Sequence, residues 1–278
     1  MQPPWHHRPW TSASAGVTWK LMPSPLLQTM IDAALAAGEE IERIYAEGCA
    51  AEAKLDGSPV TIADRHAELI ILERLTRAFP DIPILAEEEA CAGRIPELGR
   101  RFFCVDPLDG TSGFVRRSGE FTVNIALVED EASVAGVIYA PDPRILYYGA
   151  RGEGAYRMAH KSEPEPIRPR PRPPSGLIAV GSRSHAEHGS AAKDAHLGIA
   201  DFVPSSSSLK FCLVAEGTAD VYPRHGRTME WDTAAGQAIL EAAGGRVMAL
   251  DGTAEAGPLG YGKIEAGFAN PHFIAWGE

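Results

Sequence analysis

The chain has 278 residues, of which 45% are hydrophobic, and its formal net charge is −11. This length suffices for a large core and for two subdomains. The negative charge disfavours a nucleic-acid polymer or an anionic membrane as a partner, and no apolar run approaches the ~20 residues of a membrane span. We therefore expect a globular protein without stable membrane insertion, whose oligomeric state the sequence leaves open.

The cysteines and the N-terminal residues give information about the cellular compartment. The four cysteines match no zinc or redox spacing, and reduced thiols are typical of a cytoplasmic protein. A peripheral association with the inner membrane stays open. Residues 1–21 lack the apolar core of a secretory signal. We expect a disordered extension there, with Met22 as the true start.

The first predicted elements are two helices. Ser24 can cap the first helix, Pro25 can occupy its first turn and Gly48 can end it. The second helix is predicted from about 62 to 79, and Asp64 falls in its first turn. Both segments carry apolar residues at helical spacing, which predicts one buried face on each helix.

Strands dominate the next hundred residues. IPILA predicts a short buried strand, followed by three glutamates, and RFFCV predicts a strand that leads into a turn, DPLDGT. FTVNIALVED and ASVAGVIYA predict a hairpin, RILYYGA a third strand, and GEGAY a short strand after a turn. Residues 161–175, KSEPEPIRPRPRPPS, hold too many prolines for a helix or a central strand. We expect an exposed connection between domains there.

Helices and strands alternate beyond this connection. GLIAV, DFVP, ADVYP and RVMAL predict strands, with helices between them, one starting near Ser207 and one spanning 232–243. Such alternation predicts an α/β fold built in layers. We expect an N-terminal α+β metal-binding subdomain at residues 22–160 and a C-terminal α/β subdomain at residues 176–278.

Four acidic residues fall where a predicted strand or loop meets another element: Glu87, Asp106, Asp109 and Asp232. α/β proteins tend to build their sites at such junctions. Magnesium prefers carboxylates, backbone carbonyls and water as ligands, and the Leu108 carbonyl lies between two of these acids. The pattern favours a divalent cation that offsets the repulsion between the carboxylates.

Each motif also has an ordinary structural explanation when it is taken singly. DPLDGT is compatible with a simple polar turn, the glutamate run with a solvated helix face, and Trp231-Asp232 with a helix cap. Gly110 would permit a tight turn, and the amides of Thr111 and Ser112 would point at an anion. The case for a site depends on the joint appearance of these motifs.

In order, Asp64, Glu87-Glu88, DPLDGT and WDTAAG resemble the magnesium-dependent, lithium-sensitive phosphatase superfamily that includes inositol monophosphatase. The resemblance covers nearly the whole chain from Met22. GEFTVNIALV, GSRSH, SSLKFCLVAEGTADVYPR and EWDTAAGQAIL resemble its bacterial 3′(2′),5′-bisphosphate nucleotidase branch. The resemblance implies a layered α/β/α/β(/α) sandwich. It also implies removal of the 3′-phosphate from adenosine 3′,5′-bisphosphate (PAP), and by extension from its 5′-phosphosulfate analogue (PAPS).

The resemblance also implies residue roles. Two or three Mg²⁺ ions would be bound by Glu87, Asp106, the Leu108 carbonyl, Asp109 and Asp232. Asp64, Thr111 and Glu87 would be catalytic, and Asp64 and Thr111 would help to organise the nucleophilic water. The substrate would be bound by Gly110, Thr111, Ser112, His185, Ser207, Lys210 and Arg224.

The second phosphate of a bisphosphate substrate needs cations away from the metals, and Lys210 and Arg224 can provide them. Taken alone, His185 and Arg224 are ordinary surface residues, Lys210 a snorkelling helix lysine, and the serine run at 205–208 a loop and helix cap. Ser112-Gly113 stand where the branch usually carries a Lys-Glu pair, so one cation near the phosphate is missing.

Two alternatives stay open. The first is an inositol monophosphatase-like or sugar phosphatase with the same metal site, for which the Lys210 and Arg224 pair would be unnecessary. The second is a catalytically inactive metal-binding or nucleotide-binding regulator. The complete set of carboxylates argues against an inactive protein.

Overall fold

The computed structural model describes residues 23–53, 59–160, 162–182 and 194–278. The helices in these ranges are α1 (Pro25–Glu47), α2 (Ile62–Ala78), α3 (Glu87–Cys91), α4 (Thr111–Val115), α5 (Leu209–Ala215) and α6 (Glu230–Ala243). The first strands are β1 (Ala51–Ala53), β2 (Pro59–Thr61), β3 (Ile84–Ala86), β4 (Arg101–Asp109), β5 (Thr122–Glu129), β6 (Ala132–Ala140), β7 (Ile145–Ala150) and β8 (Gly154–Ala159). The remaining strands are β9 (Glu165–Pro166), β10 (Leu177–Gly181), β11 (Ile199–Pro204), β12 (Val221–Arg224), β13 (Arg246–Asp251), β14 (Ala254–Pro258) and β15 (Phe273–Trp276).

Two large sheets organise the described chain. The first has seven strands in the order β3-β4-β5-β6-β7-β8-β9, and the second has six in the order β11-β10-β12-β15-β13-β14. In the first sheet only β3 and β4 run parallel, whereas in the second β10 is parallel to both β11 and β12. None of the helices within the described ranges is long and apolar enough to cross a bilayer.

Helices fill the space outside and between the sheets. α1 and α2 cover one face of the first sheet, burying residues such as Met30, Ile41 and Phe103. α5 and α6 lie between the two sheets, where Phe211 and Ile239 belong to a core cluster with residues from both. The layers therefore run helix, sheet, helix, sheet, which confirms the predicted layered α/β sandwich.

The predicted helix boundaries follow from local chemistry. The Ser24 hydroxyl accepts a hydrogen bond from the Leu27 amide over 3.4 Å, and Gly48 follows the last residue of α1 with a φ of 79°. α2 ends two residues before Pro80, close to the expected position. The predicted extension over residues 1–21 and the helix expected just after β10 lie outside the described residues.

One expectation was wrong and a second was incomplete. DPLDGT does not begin a turn at Asp106, because β4 continues to Asp109 with a register shift against β5 between these two residues. The proline-rich connection is only partly exposed: its residues 165–166 form edge strand β9 against β8, and Ile167 is buried. Arg170 then forms a two-pronged ion pair with Asp220, at 2.7 and 2.8 Å. A proline-rich chain can add to a sheet at its edge because few of its amides are needed there.

Candidate active site

The first turn of α2 carries a buried carboxylate, Asp64, which is 1% exposed. Its Oδ2 accepts the amide and the hydroxyl of Thr61, both at 2.7 Å, which fixes the start of the helix. Its Oδ1 accepts the hydroxyl of Thr111 over 2.9 Å, from the start of α4. The same hydroxyl lies 3.1 Å from the Leu108 carbonyl oxygen. Asp64 therefore joins α2 to the loop that follows β4.

The end of β4 holds the second carboxylate. Asp106 is 1% exposed, and its Oδ1 accepts the Leu108 amide over 2.9 Å. Burial raises the pKa of Asp106 well above its usual range, and the carboxylates of Glu87, Asp109 and Asp232 raise it further. Carboxylates that raise the pKa of a neighbour in this way repel one another, and a bound cation would offset that repulsion.

Gly110 follows β4 in the left-handed region, with a φ of 95°, and precedes α4. A Cβ there would lie 2.3 Å from the Ser207 Oγ and 2.8 Å from the Glu120 carbonyl oxygen. Ser207 itself donates to the Asp109 carbonyl oxygen over 2.9 Å. Gly110 therefore permits the serine loop at 205–208 to pack directly against the loop after β4.

Glu87 is the first residue of α3, directly after β3. Its carboxyl group is within hydrogen-bonding reach of Asp106. Because β3 and β4 are parallel, the C-terminal ends of both strands lie at the same edge of the sheet. This pairing explains why two acids 19 positions apart in the sequence meet.

Asp232 lies in the first turn of α6, where its Oδ2 accepts the Met229 amide over 2.8 Å. Burial raises its pKa to about 8, with a further contribution from Asp109, whereas the Met229 hydrogen bond and Arg224 act in the opposite direction. The helix cap that the sequence offered as an ordinary explanation is therefore present. The same carboxyl group nevertheless belongs to the acidic cluster.

The buried Ser208, which sequence reasoning did not select, connects these acids. Its hydroxyl lies 2.8 Å from Asp109 Oδ2 and 2.9 Å from the Asp232 carbonyl oxygen. It also accepts a hydrogen bond from the Asn124 side-chain amide over 2.8 Å. A polar residue inside the apolar strand TVNIALV was the available signal for Asn124. Nothing distinguished Ser208 from its three serine neighbours.

Two cations lie beside the acids. Lys210, on α5, is 7% exposed, so it does not snorkel to the surface. Its ammonium group donates to the Ser207 carbonyl oxygen over 2.6 Å and lies 5.4 Å from the centre of the Tyr222 ring. Burial lowers the pKa of Lys210 to about 8, against the opposing effect of Asp109. Arg224, at the end of β12, donates to the Arg227 carbonyl oxygen over 3.2 Å.

Two neighbouring cavities share Ser182, Tyr222 and Arg224 in their walls. The first, about 320 Å³, is polar and is also lined by residues that include Asp109, Ser207, Lys210 and Asp232. The second, about 370 Å³, has apolar walls that include Ile199 and Phe202, with Asp194 and His225 at one side. The geometry therefore offers a charged compartment beside an apolar one.

Gly110, Thr111 and Ser112, all predicted for substrate binding, line neither of these cavities. Ser112 is exposed on α4, and His185 lies outside the described residues. Gly113, which stands where the related branch usually carries a glutamate, is buried. A Cβ at this position would lie 2.9 Å from the Glu120 carbonyl oxygen and 2.9 Å from the Ser118 Oγ. The local packing therefore leaves little space for a glutamate at 113.

The donor atoms fit magnesium in kind. Four carboxylates and the Leu108 carbonyl supply only hard oxygen ligands. Within the described ranges, no group of three His, Cys, Asp or Glu side chains is already arranged to hold an ion. Among the same residues, Thr122 Oγ1 and Asn124 Oδ1 are buried without a hydrogen-bond partner. Both residues belong to β5, opposite the acids of β4, and could bond ordered water.

Sequence comparison agrees with the fold. The inositol monophosphatase family model matches residues 22–274. The 3′(2′),5′-bisphosphate nucleotidase CysQ of Salmonella typhimurium is 42% identical over 250 residues, which cover 89% of this chain and 98% of that protein. Its counterpart in Escherichia coli K12 is 40% identical over 250 residues, with the same coverage of both chains.

Solved structures agree as well. CysQ from Bacteroides thetaiotaomicron superposes with a TM-score of 0.74 at 40% identity, over 91% of this chain and 97% of that one. Inositol monophosphatase from Anabaena superposes with a TM-score of 0.70 at 30% identity, over 91% of this chain and 90% of that one. The layered fold and the matched sequence define a phosphatase. The chain belongs to the inositol monophosphatase family, which confirms the resemblance found in the sequence.

Proposed function

We propose that this protein is a Mg²⁺-dependent phosphatase that removes the 3′-phosphate from PAP, to give AMP and phosphate, and that PAPS is a further substrate. The relatives at 40–42% identity are named as 3′(2′),5′-bisphosphate nucleotidases. The partner is thus a small phosphate ester. The cytoplasmic location predicted from the cysteines stays a prediction.

The observation that carries the proposal is the pair of cavities joined at Arg224. The polar cavity is lined by Asp109, Asp232 and Lys210, so it suits a phosphate bound through metal ions together with a second phosphate bound by cations. The apolar cavity suits a flat, mostly apolar group such as a nucleobase. A monophosphate of a sugar or a cyclitol would leave that second cavity unfilled.

The chemistry follows from the residues. Glu87, Asp106, the Leu108 carbonyl, Asp109 and Asp232 would hold Mg²⁺, which when bound acidifies water and stabilises charge on the phosphoryl group and the leaving oxygen. Thr111, oriented by Asp64 over 2.9 Å, would orient the attacking water. The water gives up a proton as its oxygen forms the new bond to phosphorus, the bond to the 3′-oxygen breaks, and that oxygen takes up a proton from solvent.

A phosphate-release panel tests the proposal. Purified protein with Mg²⁺ would be assayed against PAP, PAPS, 3′-AMP, inositol 1-phosphate and fructose 1,6-bisphosphate. We expect the highest kcat/KM for PAP. A higher kcat/KM for inositol 1-phosphate would favour the inositol phosphatase alternative, which the likeness to the Anabaena enzyme supports. Hydrolysis of none of the five would favour the non-catalytic regulator.

A further inference from the structure

Glu68 is a buried acid that the proposed reaction does not use. It lies on α2, one helical turn after Asp64, and is 3% exposed. Its Oε2 accepts the Glu88 amide over 2.8 Å, and its Oε1 accepts the Glu89 amide over 3.0 Å. Both carboxylate oxygens therefore bond to the backbone of α3, about twenty positions further along the chain.

α3 depends on this contact at its first turn. The helix has five residues, and the residue before it, Ala86, makes no side-chain cap. The free amides of a helix start need an acceptor when they are sheltered from water. Glu68 supplies that acceptor from another helix, immediately after Glu87. Glu68 therefore fixes the backbone position of Glu87.

Asp64 and Glu68 lie four positions apart and so share one face of α2. Asp64 holds Thr111 at the start of α4, and Glu68 holds the amides that follow Glu87. Keeping an acid buried next to Glu88 and Glu89 is unfavourable for folding. An uncharged residue would fill this space at lower cost, which argues that the contact serves the site.

We propose that Glu68 is a positioning residue for the metal site, acting through the α3 backbone to place Glu87 toward Asp106. The inference rests on the proposed function, in which Glu87 is a metal ligand. Partners that orient metal ligands typically contribute about tenfold to hundredfold in metal affinity or activity. Glu68 should therefore affect metal binding and turnover, with little effect on KM for the phosphate ester.

The experiment compares three variants of the full chain. Glu68→Gln is nearly isosteric and keeps one carbonyl acceptor, Glu68→Ala removes both acceptors, and Glu73→Gln is the matched control on the exposed side of the same helix. Mn²⁺ serves as the probe, and its free concentration is followed by electron paramagnetic resonance during titration. Hydrogen exchange of the Glu88 and Glu89 amides is measured in parallel, with kcat and KM for PAP.

We expect Mn²⁺ affinity to fall by about tenfold in Glu68→Gln and by up to about a hundredfold in Glu68→Ala, with faster exchange of both amides. Glu73→Gln should match the parent protein. Unchanged Mn²⁺ affinity in a folded Glu68→Gln and Glu68→Ala, whatever their melting temperatures, would overturn the positioning role while leaving the proposed function intact. Absence of Mn²⁺ binding in the parent protein would instead overturn the proposed function and the inference with it.

Discussion

Asp64 and Thr111 are 47 positions apart in the chain, yet the Thr111 hydroxyl donates to Asp64 Oδ1 over 2.9 Å. The other carboxylate oxygen of Asp64 holds the start of α2. The orientation of the Thr111 hydroxyl is therefore set by a helix end. In the proposed mechanism this hydroxyl orients the water that attacks the phosphorus.

Replacing Thr111 tests that role. Thr111→Val keeps the branched shape and removes the hydroxyl, so we expect kcat for PAP to fall by about a hundredfold, within the range of positioned proton-handling groups. KM should change little because the metal ligands remain. Thr111→Ser, the control, should retain most of the activity. Equal activity in the Val and Ser variants, measured at saturating Mg²⁺, would exclude the hydroxyl from the reaction.

The sequence was informative where local chemistry decides the structure. The cap at Ser24, the end of α1 at Gly48 and the hairpin of FTVNIALVED with ASVAGVIYA each depend on near neighbours, and these predictions agree with the structure. The acids could be selected because the motifs that contain them appear together and in the order that the resemblance implies.

Other features depend on contacts distant in sequence. Ser208 is one of four consecutive serines, and only the packing of the serine loop on Gly110 brings its hydroxyl to Asp109. The continuation of β4 through Asp106 depends on pairing with β5. In the sequence, Glu68 cannot be distinguished from other helical glutamates, because its partners are the amides of α3, about twenty positions away. No local pattern specifies these partners.

Gly110 should tolerate no side chain. At a φ of 95°, an alanine is strained, and its Cβ would meet Ser207 and the Glu120 carbonyl at 2.3 and 2.8 Å. We expect Gly110→Ala to lower the free energy of unfolding by about 2–4 kcal/mol, the sum of backbone strain and overpacking. Gly93→Ala is the matched control, because its φ is +77° with nothing within 4 Å of the new Cβ. Urea unfolding of both variants measures the difference. Equal losses in the free energy of unfolding would mean that Ser207 and the Glu120 segment can move away from the new Cβ without cost.

Metal removal should abolish activity. The acids around Asp106 repel one another, and a divalent cation offsets that repulsion as well as stabilising the transition state. We expect no phosphate release in excess chelator and recovery on addition of Mg²⁺. Ca²⁺ should inhibit, because its looser geometry positions the in-line attack poorly. Inhibition by lithium is expected from the family. Full activity in chelator would contradict a metal mechanism.

Asp109 and Asp232 can be tested without disturbing the fold. An asparagine at 232 can still accept the Met229 amide, and one at 109 can still meet the Ser208 hydroxyl. Both substitutions remove charge from the proposed metal ligands. We expect turnover to fall by about a hundredfold or more in each variant, with far-ultraviolet circular dichroism unchanged. Near-normal turnover of Asp109→Asn at saturating Mg²⁺ would exclude Asp109 as a ligand.

Substitutions of Lys210 and Arg224 separate the nucleotide and sugar alternatives. Losing one charge-assisted contact to the second phosphate should weaken binding by about 1.5–3 kcal/mol, which is roughly a tenfold to hundredfold loss in kcat/KM. Lys210→Ala and Arg224→Ala should therefore impair PAP strongly and 3′-AMP or inositol 1-phosphate little, since those lack that phosphate. Equal losses on all three substrates would mean that both residues are structural.

The pH dependence of the substrate preference tests the role of Lys210 independently. Burial lowers the pKa of Lys210 to about 8, and a lysine is charged only below its pKa. The attraction for the second phosphate is thus complete below about pH 7 and is lost as the pH rises through 8. We expect the ratio of kcat/KM for PAP to that for 3′-AMP to fall over this window, because the ratio cancels titrations that both substrates share. Lys210→Arg keeps its charge throughout, so its ratio should stay level. A ratio that falls equally in Lys210→Arg would assign the pH dependence to another group.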